Sequence, residues 1–231
     1  EEDQDRDERQ LSAGGLPVGH DRNADQIAFW NGIAGRHWTE RQSAQDVLLA
    51  PVTAELIARV AAEPGQRILD IGCGWGGFAL FLARHYDVEV TGVALAPDQI
   101  AFCQERAAAE GLADRVKFHL MDYRDVTGSF DRISSVGLLE HVGTIHYPQF
   151  FAHTHRLLAP DGVMLSHCCG RADTPGHTDA WTRKYIFPGG YIPALSELVA
   201  PAETAGWQVM DVEAMRFHYS LTLEEWYRRT V

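Results

Sequence analysis

The segment ILDIGCGWGG, residues 68–77, places four glycines directly after a short apolar run. Glycine adopts backbone conformations with positive φ and lets a ligand approach the chain closely, and the start of a helix offers free N–H groups. The segment therefore predicts a strand, a tight turn and the first turn of a helix, with a ligand held at the turn. Its spacing Gly72-x-Gly74-x-x-Gly77 also matches the dinucleotide fingerprint, so the glycines alone do not identify the ligand.

Two features of the flanking sequence disfavour a nicotinamide dinucleotide. Asp70 precedes the first glycine, where a carboxylate would repel a pyrophosphate but can serve a ligand with a cationic amino-acid portion. A dinucleotide site also needs an acid at the end of the second strand to bind the ribose, and this strand ends in Val93-Ala94-Leu95-Ala96. The pattern favours a cofactor with a positively charged amino-acid portion.

Downstream of Pro64-Gly65, short β-rich runs alternate with longer stretches of helical pattern. Such alternation is typical of βαβ units, whose right-handed crossovers build a parallel sheet with ligands at the carboxyl ends of the strands. We predict an α/β, Rossmann-like fold with a mostly parallel sheet and helices on both faces. The predicted strands are Arg67–Ile71, Val88–Val93, Val116–Met121, Arg132–Val136, Val163–His167 and Trp207–Phe217, and the first two helices are Phe78–Tyr86 and Pro97–Glu110.

The residues ahead of this domain have a different composition. Residues 1–25 open with the charge run EEDQDRDERQ and are too polar to bury much surface, which predicts a flexible tail. In residues 26–64 apolar side chains such as Leu48, Leu56 and Val60 recur at helical spacing, which predicts an N-terminal helical cap. Residues 65–231 are long enough to form one ligand-binding domain.

The charge balance limits the class of partner. The formal net charge is −12 over 231 residues, which repels phosphate backbones, so we expect no nucleic-acid partner and at most peripheral contact with a membrane. No apolar run approaches the ~20 residues of a membrane span, and no signal peptide is visible. The four cysteines contain no C-x-x-C pair, so neither a metal site nor a disulfide framework is indicated. A soluble, cytoplasmic protein is predicted.

Six stretches occur in an order typical of one enzyme family: LDIGCGWGG, VTGVALAPDQ, MDYRDV, SSVGLLEHVG, KYIFPGGYIP and FHYSLTLEEW. From about Gly65 to Arg229, the chain resembles the cyclopropane-fatty-acid synthase family, which includes the mycolic acid cyclopropane synthases and related fatty-acid methyltransferases. The resemblance implies that residues 65–231 form an S-adenosylmethionine-binding class I methyltransferase domain. It also implies transfer of a methyl or methylene group to an unsaturated acyl chain.

The resemblance further implies which residues bind the cosubstrate S-adenosylmethionine. The residues that match the family's cofactor site are Asp70, Gly72, Gly74, Leu95, Gln99, Asp122 and Tyr123. Leu95 and Gln99 are expected near the ribose, and Asp122 and Tyr123 near the adenine.

The reacting site is implied in the same way. In the family a bicarbonate ion beside the reacting carbon acts as the base, and the residues that match its binding site are Glu140, His167 and Tyr219. The ion's O–H is expected to donate to Glu140, while His167, Tyr219 and a backbone N–H near Cys169 donate to its other oxygens. The aromatic faces of Tyr185, Phe187 or Tyr191 can stabilise a carbocation. Simpler interpretations stay open: a solvated Glu-His pair at residues 140–141, a core histidine at 167 and a packing role for Tyr219. Cys168 and Cys169 are predicted to be small core residues.

The sequence departs from the family pattern at both ends. The family's Tyr-Ser-Cys segment is missing, and the head FWNGIAGRHWTERQSAQDVLLAP resembles small-molecule class I methyltransferases. The chain ends at Val231, before the family's closing strand, so we expect an exposed sheet edge. Three functions stay open: methylation of an unsaturated acyl lipid, N- or C-methylation of a small molecule, and cofactor binding without catalysis. The sequence does not indicate an oligomeric state.

Overall fold

The computed structural model describes residues 31–32, 62–185, 187 and 189–230 of the chain. The predicted tail, residues 1–25, lies outside this part of the chain, and so does the predicted cap, residues 26–64, apart from residues 31–32 and 62–64. Both therefore stay predictions. The described residues include nearly all of the predicted domain 65–231.

Five strands form one parallel sheet in the order β3-β2-β1-β4-β5. The strands are β1 (Arg67–Ile71), β2 (Glu89–Ala94), β3 (Val116–Leu120), β4 (Phe130–Val136) and β5 (Leu158–His167). The chain builds outward on one side of β1 and then returns to build on the other, so the strand order reverses between β1 and β4. The predicted α/β fold with a parallel sheet is confirmed.

Helices connect the strands and cover both faces of the sheet. They are α1 (Gly77–His85), α2 (Pro97–Ala109), α3 (Leu139–Val142), α4 (Tyr147–Leu157), α5 (Ala180–Tyr185), α6 (Leu195–Thr204) and α7 (Arg216–Thr230). Helices α1 and α2 pack on one face, and α4 and α6 on the other. Among the described residues, no helix combines the length and the apolar character that a bilayer crossing requires.

Consecutive apolar residues of the central strand enter different cores. Ile68 packs with Leu80 and Ile100 of α1 and α2, whereas Leu69 packs with Phe150 of α4. Ile68 and Leu69 are both 0% exposed. Successive strand side chains point to opposite faces, so a strand that is covered on both faces favours apolar side chains at neighbouring positions. Each such side chain contributes about 1.5–3 kcal/mol by burial.

The predicted sixth strand, Trp207–Phe217, is wrong. Residues 207–215 are irregular, and α7 begins at Arg216. Trp207 is anchored, because its indole N–H donates to the Phe151 carbonyl at 2.9 Å, but the following Met210 is 86% exposed. A strand needs a neighbour for its backbone hydrogen bonds, and no strand among the described residues pairs with this segment.

Candidate active site

The loops that follow the strands meet at the carboxyl edge of the sheet, where the strand order reverses between β1 and β4. In open parallel sheets this crevice is the usual place for a ligand. The candidate residues at this edge are Asp70 in β1, Leu95 after β2, Asp122 after β3, Glu140 after β4 and His167 at the end of β5. The topology therefore brings five segments that are far apart in sequence to one edge.

The glycine loop between β1 and α1 is a tight turn, as predicted, and it is hydrogen-bonded to the end of β2. The N–H groups of Gly72 and Cys73 both donate to the Val93 carbonyl, at 2.9 and 3.1 Å. Gly72 has φ 76° and Gly74 has φ 52°, in the left-handed region that favours glycine. Among the described residues, a Cβ at Gly74 would meet only the Gly72 carbonyl, at 4.0 Å, so this part of the structure leaves room for a ligand at Gly74.

Asp70 is a buried carboxylate with one committed oxygen and one open oxygen. Its side chain is 3% exposed, and the Ser134 hydroxyl donates to Oδ1 at 2.9 Å. Its Oδ2 is buried and accepts no hydrogen bond from the described residues. Burial raises the pKa of Asp70 from 3.8 to about 6, and the Ser134 hydrogen bond opposes that rise. An open carboxylate oxygen suits an ammonium group.

The predicted ribose residues lie at the junction of β2 and α2. Leu95 follows the last residue of β2 and is half-buried, and Gln99 is buried in the first turns of α2. The Asp98 N–H at the start of α2 donates to Asn31 Oδ1 at 3.4 Å. The junction therefore lies at the correct edge of the sheet, and a contact with a ribose stays a prediction.

The predicted adenine residues are already engaged within the protein. The Asp122 carboxylate accepts from the Arg124 backbone N–H at 2.9 Å and forms a salt bridge with the Arg124 guanidinium group. The Tyr123 ring packs edge-on against Phe150, with 5.3 Å between the centroids, and burial raises the pKa of Tyr123 to about 12. The 3-10 turn that holds both residues lies after β3 at the same edge, but Asp122 would have to share or leave Arg124 in order to bind adenine.

Glu140 lies in α3 and is fixed by contacts from two other segments. Its backbone carbonyl accepts from the Tyr191 N–H at 2.8 Å, and its Oε1 accepts from the Cys169 N–H at 2.6 Å. The side chain is 3% exposed, and Oε2 is buried without a partner among the described residues. Burial raises the pKa of Glu140, and the Cys169 N–H opposes that rise. A simple solvated Glu-His pair is therefore excluded.

His167 and Tyr219 approach the same region from β5 and α7. Burial lowers the pKa of His167, so its ring is neutral at pH 7, and its buried Nδ1 has no partner among the described residues. Tyr219 is 41% exposed. Its pKa is raised by burial and then by the charges of Cys169 and Glu140, so its phenol lies within electrostatic reach of Glu140. His167 lies two residues before Cys169, and its Nδ1 forms no hydrogen bond with Glu140. Convergence of Glu140, His167 and Tyr219 stays a prediction.

The loop of residues 184–193, KYIFPGGYIP, lies against Glu140. Besides the Tyr191 backbone contact, the Phe187 ring lies edge-on to His141 with 6.4 Å between the centroids. The Tyr191 hydroxyl donates to the Glu197 carboxylate at 2.8 Å, which ties the loop to α6. Ile186, Pro188 and the side chain of Tyr185 lie outside the described part of the structure. The described residues of the loop therefore pack against α3 and α6.

Two contacts within the site were not predicted from sequence. Ser134 reaches Asp70 only because the two residues are paired across β4 and β1, and the Cys169 N–H is committed to Glu140 rather than open to an anion. Both contacts depend on distant segments, so no local motif shows them. One indication of the Asp70 contact is visible in the sequence: the stretch SSVGLLEHVG begins with Ser134, a polar residue near the end of a buried strand.

Comparison with known proteins gives consistent matches. Residues 37–231 match the family model for mycolic acid cyclopropane synthetase. Cyclopropane-fatty-acyl-phospholipid synthase of Escherichia coli (strain K12) is 41% identical over 188 residues, which cover 81% of this chain and 47% of that protein. The chain therefore spans about half the length of this relative.

Solved structures match the fold as well. The cyclopropane synthase MmaA2 from Mycobacterium tuberculosis matches with a TM-score of 0.69 and 28% identity, over 77% of this chain and 67% of that chain. Phosphoethanolamine N-methyltransferase 2 of Haemonchus contortus, solved in complex with S-adenosyl-L-methionine, matches with a TM-score of 0.68 and 26% identity, over 78% of this chain and 42% of that chain.

Proposed function

The chain belongs to the mycolic acid cyclopropane synthetase family, and on this premise we propose that it is an S-adenosylmethionine-dependent methyltransferase acting on an unsaturated acyl chain. The observation that carries the proposal is the buried Glu140, held by the Cys169 N–H and by Tyr191 of the loop 184–193 at the same sheet edge as the glycine loop. A site for cofactor binding alone would not need a second buried acid there. The substrate is proposed to be an unsaturated acyl lipid.

The residues around the glycine loop fit the cosubstrate. Asp70 would bind the ammonium group of S-adenosylmethionine, because its Oδ2 is buried and otherwise unpaired among the described residues. The open space at Gly74 would let the amino-acid portion approach the backbone, and Leu95 and Gln99 would adjoin the ribose. The bound sulfonium supplies an electrophilic methyl group.

The reaction needs both alignment and a base. Attack by the alkene π pair forms a carbon–carbon bond and breaks the carbon–sulfur bond, which leaves S-adenosylhomocysteine and a carbocation. Formation of a cyclopropane then requires loss of one proton from the transferred methyl group. The aromatic loop 184–193 would shield and stabilise the cation, and the residues at Glu140 would organise the acceptor of the proton.

Glu140, His167 and Tyr219 fit a small protonated oxyanion such as bicarbonate. Glu140 Oε2 and His167 Nδ1 are buried polar atoms that lack partners among the described residues. Glu140 would accept the O–H of the ion, while Tyr219 and His167 would donate to its remaining oxygens. The ion would supply the base. The Cys169 N–H would not contribute, because it already donates to Glu140.

The test is methyl transfer to lipid by the purified protein. Vesicles of an unsaturated phospholipid are incubated with S-adenosylmethionine, and the released acyl chains are analysed by mass spectrometry. We expect species one CH₂ heavier, and their loss in Glu140→Gln. Binding of S-adenosylhomocysteine without any product from lipids or amines would favour a non-catalytic cofactor-binding protein.

A second candidate, N-methylation of a small amine, is supported by the likeness to the phosphoethanolamine N-methyltransferase structure, whose TM-score of 0.68 nearly equals that of the cyclopropane synthase. The two functions differ in what the site must do with a proton and in the polarity of the substrate. Competition between the vesicles and a panel of phosphorylated and free amines separates them. Methylated amines with unchanged lipids would select the second function.

A further inference from the structure

One hydrogen bond crosses the sheet directly beneath the proposed cofactor site. Asp70 in β1 and Ser134 in β4 are paired residues of neighbouring parallel strands, and Ser134 is 0% exposed. The Ser134 hydroxyl lies 2.9 Å from Asp70 Oδ1 and 3.5 Å from the Leu69 carbonyl. A hydroxyl donates only one proton, and the shorter distance with the charged acceptor favours Asp70.

No other group near Asp70 shares this task within the described part of the chain. On the other side of β1, the residue paired with Asp70 is Gly92, which has no side chain. From the glycine loop Cys73 faces the carboxylate, and a hydrogen bond with Cys103, burial and the charge of Asp70 all raise the pKa of Cys73. The Cys73 thiol is therefore neutral at pH 7, and no described cation pairs with Asp70.

We propose that Ser134 is a positioning residue for S-adenosylmethionine: its hydroxyl fixes Oδ1 of Asp70 so that Oδ2 is presented to the ammonium group of the cofactor. The inference rests on the proposed function, since it assumes that Asp70 binds this cofactor. Ser134 itself touches no reacting atom. Its effect reaches the cofactor through the orientation and the ionisation of Asp70.

The arrangement predicts a pH dependence whose sign is fixed. Burial raises the pKa of Asp70 to about 6, and the Ser134 hydrogen bond lowers it. The cofactor's ammonium group prefers the ionised carboxylate, so affinity is full above this pH and falls as Asp70 is protonated. Loss of the Ser134 donor raises the pKa of Asp70, so the midpoint for binding moves to higher pH.

The test is calorimetric binding of S-adenosylhomocysteine from about pH 5 to 8.5. We expect a wild-type midpoint near 6, and in Ser134→Ala a midpoint higher by about one pH unit, with about tenfold weaker binding below it. Ser134→Thr restores the hydroxyl and should restore the midpoint. Asp70→Asn should bind weakly with no midpoint in this range.

Ser135→Ala is the matched control. Ser135 is also 0% exposed, but as the next strand residue it points to the other face of the sheet, so its variant should keep the wild-type midpoint. If Ser134→Ala does not fold, Ser134→Cys, with a similar shape and a weak donor, should show an intermediate midpoint. Ligand binding with the wild-type midpoint in Ser134→Ala or Ser134→Cys would overturn the inference alone. Absence of binding by the wild-type protein at every pH would overturn the proposed function with it.

Discussion

Asp70 and Glu140 are two buried acids at one edge of the sheet, and they differ in the ligand group that each would bind. Asp70 accepts from a serine hydroxyl on the neighbouring strand, and Glu140 accepts from a backbone N–H after β5. Each keeps one buried oxygen without a partner among the described residues. A buried ionised oxygen without a partner is costly, so each open oxygen indicates a missing ligand group. Asp70, beside the glycine loop, would receive the cofactor, and Glu140, beside Tyr219, would face the reacting group.

The first prediction separates these two roles. Asp70→Ala should weaken binding of S-adenosylhomocysteine about tenfold or more, because a charge-assisted hydrogen bond to the ammonium group is lost. Glu140→Gln should bind it nearly as wild type while lowering turnover about 10²- to 10⁴-fold. Calorimetry and a methyl-transfer assay measure the two effects. Equal losses of affinity in both variants would show that Glu140 belongs to the cofactor site.

The second prediction concerns the free energy of unfolding, which the ionisation of Asp70 lowers. Its pKa rises from 3.8 in the unfolded chain to about 6 in the fold, so its contribution to stability is full below about pH 4 and is lost as the pH rises through 6. At pH 8 the ionised group therefore costs the cofactor-free protein about 3 kcal/mol, from two pH units at about 1.4 kcal/mol each. Asp70→Asn should raise the free energy of unfolding at pH 8 and change it little near pH 4. Urea titrations at both pH values measure it, and destabilisation at pH 8 would refute the linkage.

At the scale of helices and strands, the sequence predicts the elements whose bounds are marked by their own residues. The bounds of β1 were predicted to the residue, and those of β2, β3, α1 and α2 within one residue at each end, because apolar runs, glycines and Pro97 mark them directly. The segment Trp207–Phe217 has equally apolar residues, yet it forms no strand. Strand formation depends on a partner, and a partner is not a property of the segment itself.

The third prediction uses two glycines that share a backbone conformation but differ in their surroundings. Gly76, the residue before α1, has φ 77°, and a Cβ there would lie 2.9 Å from both Cys103 Sγ and Phe118 Cζ; Gly65 has φ 82° and open space. Gly65→Ala should cost about 1–2 kcal/mol of unfolding free energy for the left-handed backbone alone. Gly76→Ala should cost about 1–3 kcal/mol more for overpacking. Equal costs in chemical denaturation would mean that the packing around Gly76 adapts freely.

At the scale of the whole molecule, the sequence predicts the site only through the family resemblance. The chain supplies Glu140, His167 and Tyr219 from three separate elements, and no spacing rule relates them. That the three side chains converge stays a prediction of the resemblance. The resemblance did not predict that the Cys169 N–H is already used, because that contact depends on how the end of β5 lies against α3. The register that pairs Asp70 with Ser134, 64 residues apart, is non-local in the same way.

The last prediction tests whether Glu140, His167 and Tyr219 bind bicarbonate as the proposed base. An anion beside Glu140 is reasonable because the ion's own O–H can donate to the open Oε2. With the Cys169 N–H committed, Tyr219 and His167 are the proposed donors, so binding should be weak and sensitive to either. Methyl transfer in bicarbonate-depleted buffer should fall and recover when bicarbonate is added, and Tyr219→Phe should need more bicarbonate for half-maximal rate.

Phe217→Ala is the control, since Phe217 is 83% exposed on the same helix and its loss should leave the bicarbonate requirement unchanged. A rate indifferent to bicarbonate in wild type and Tyr219→Phe would reject the carbonate base and favour methylation of a small amine, which can lose its proton to water.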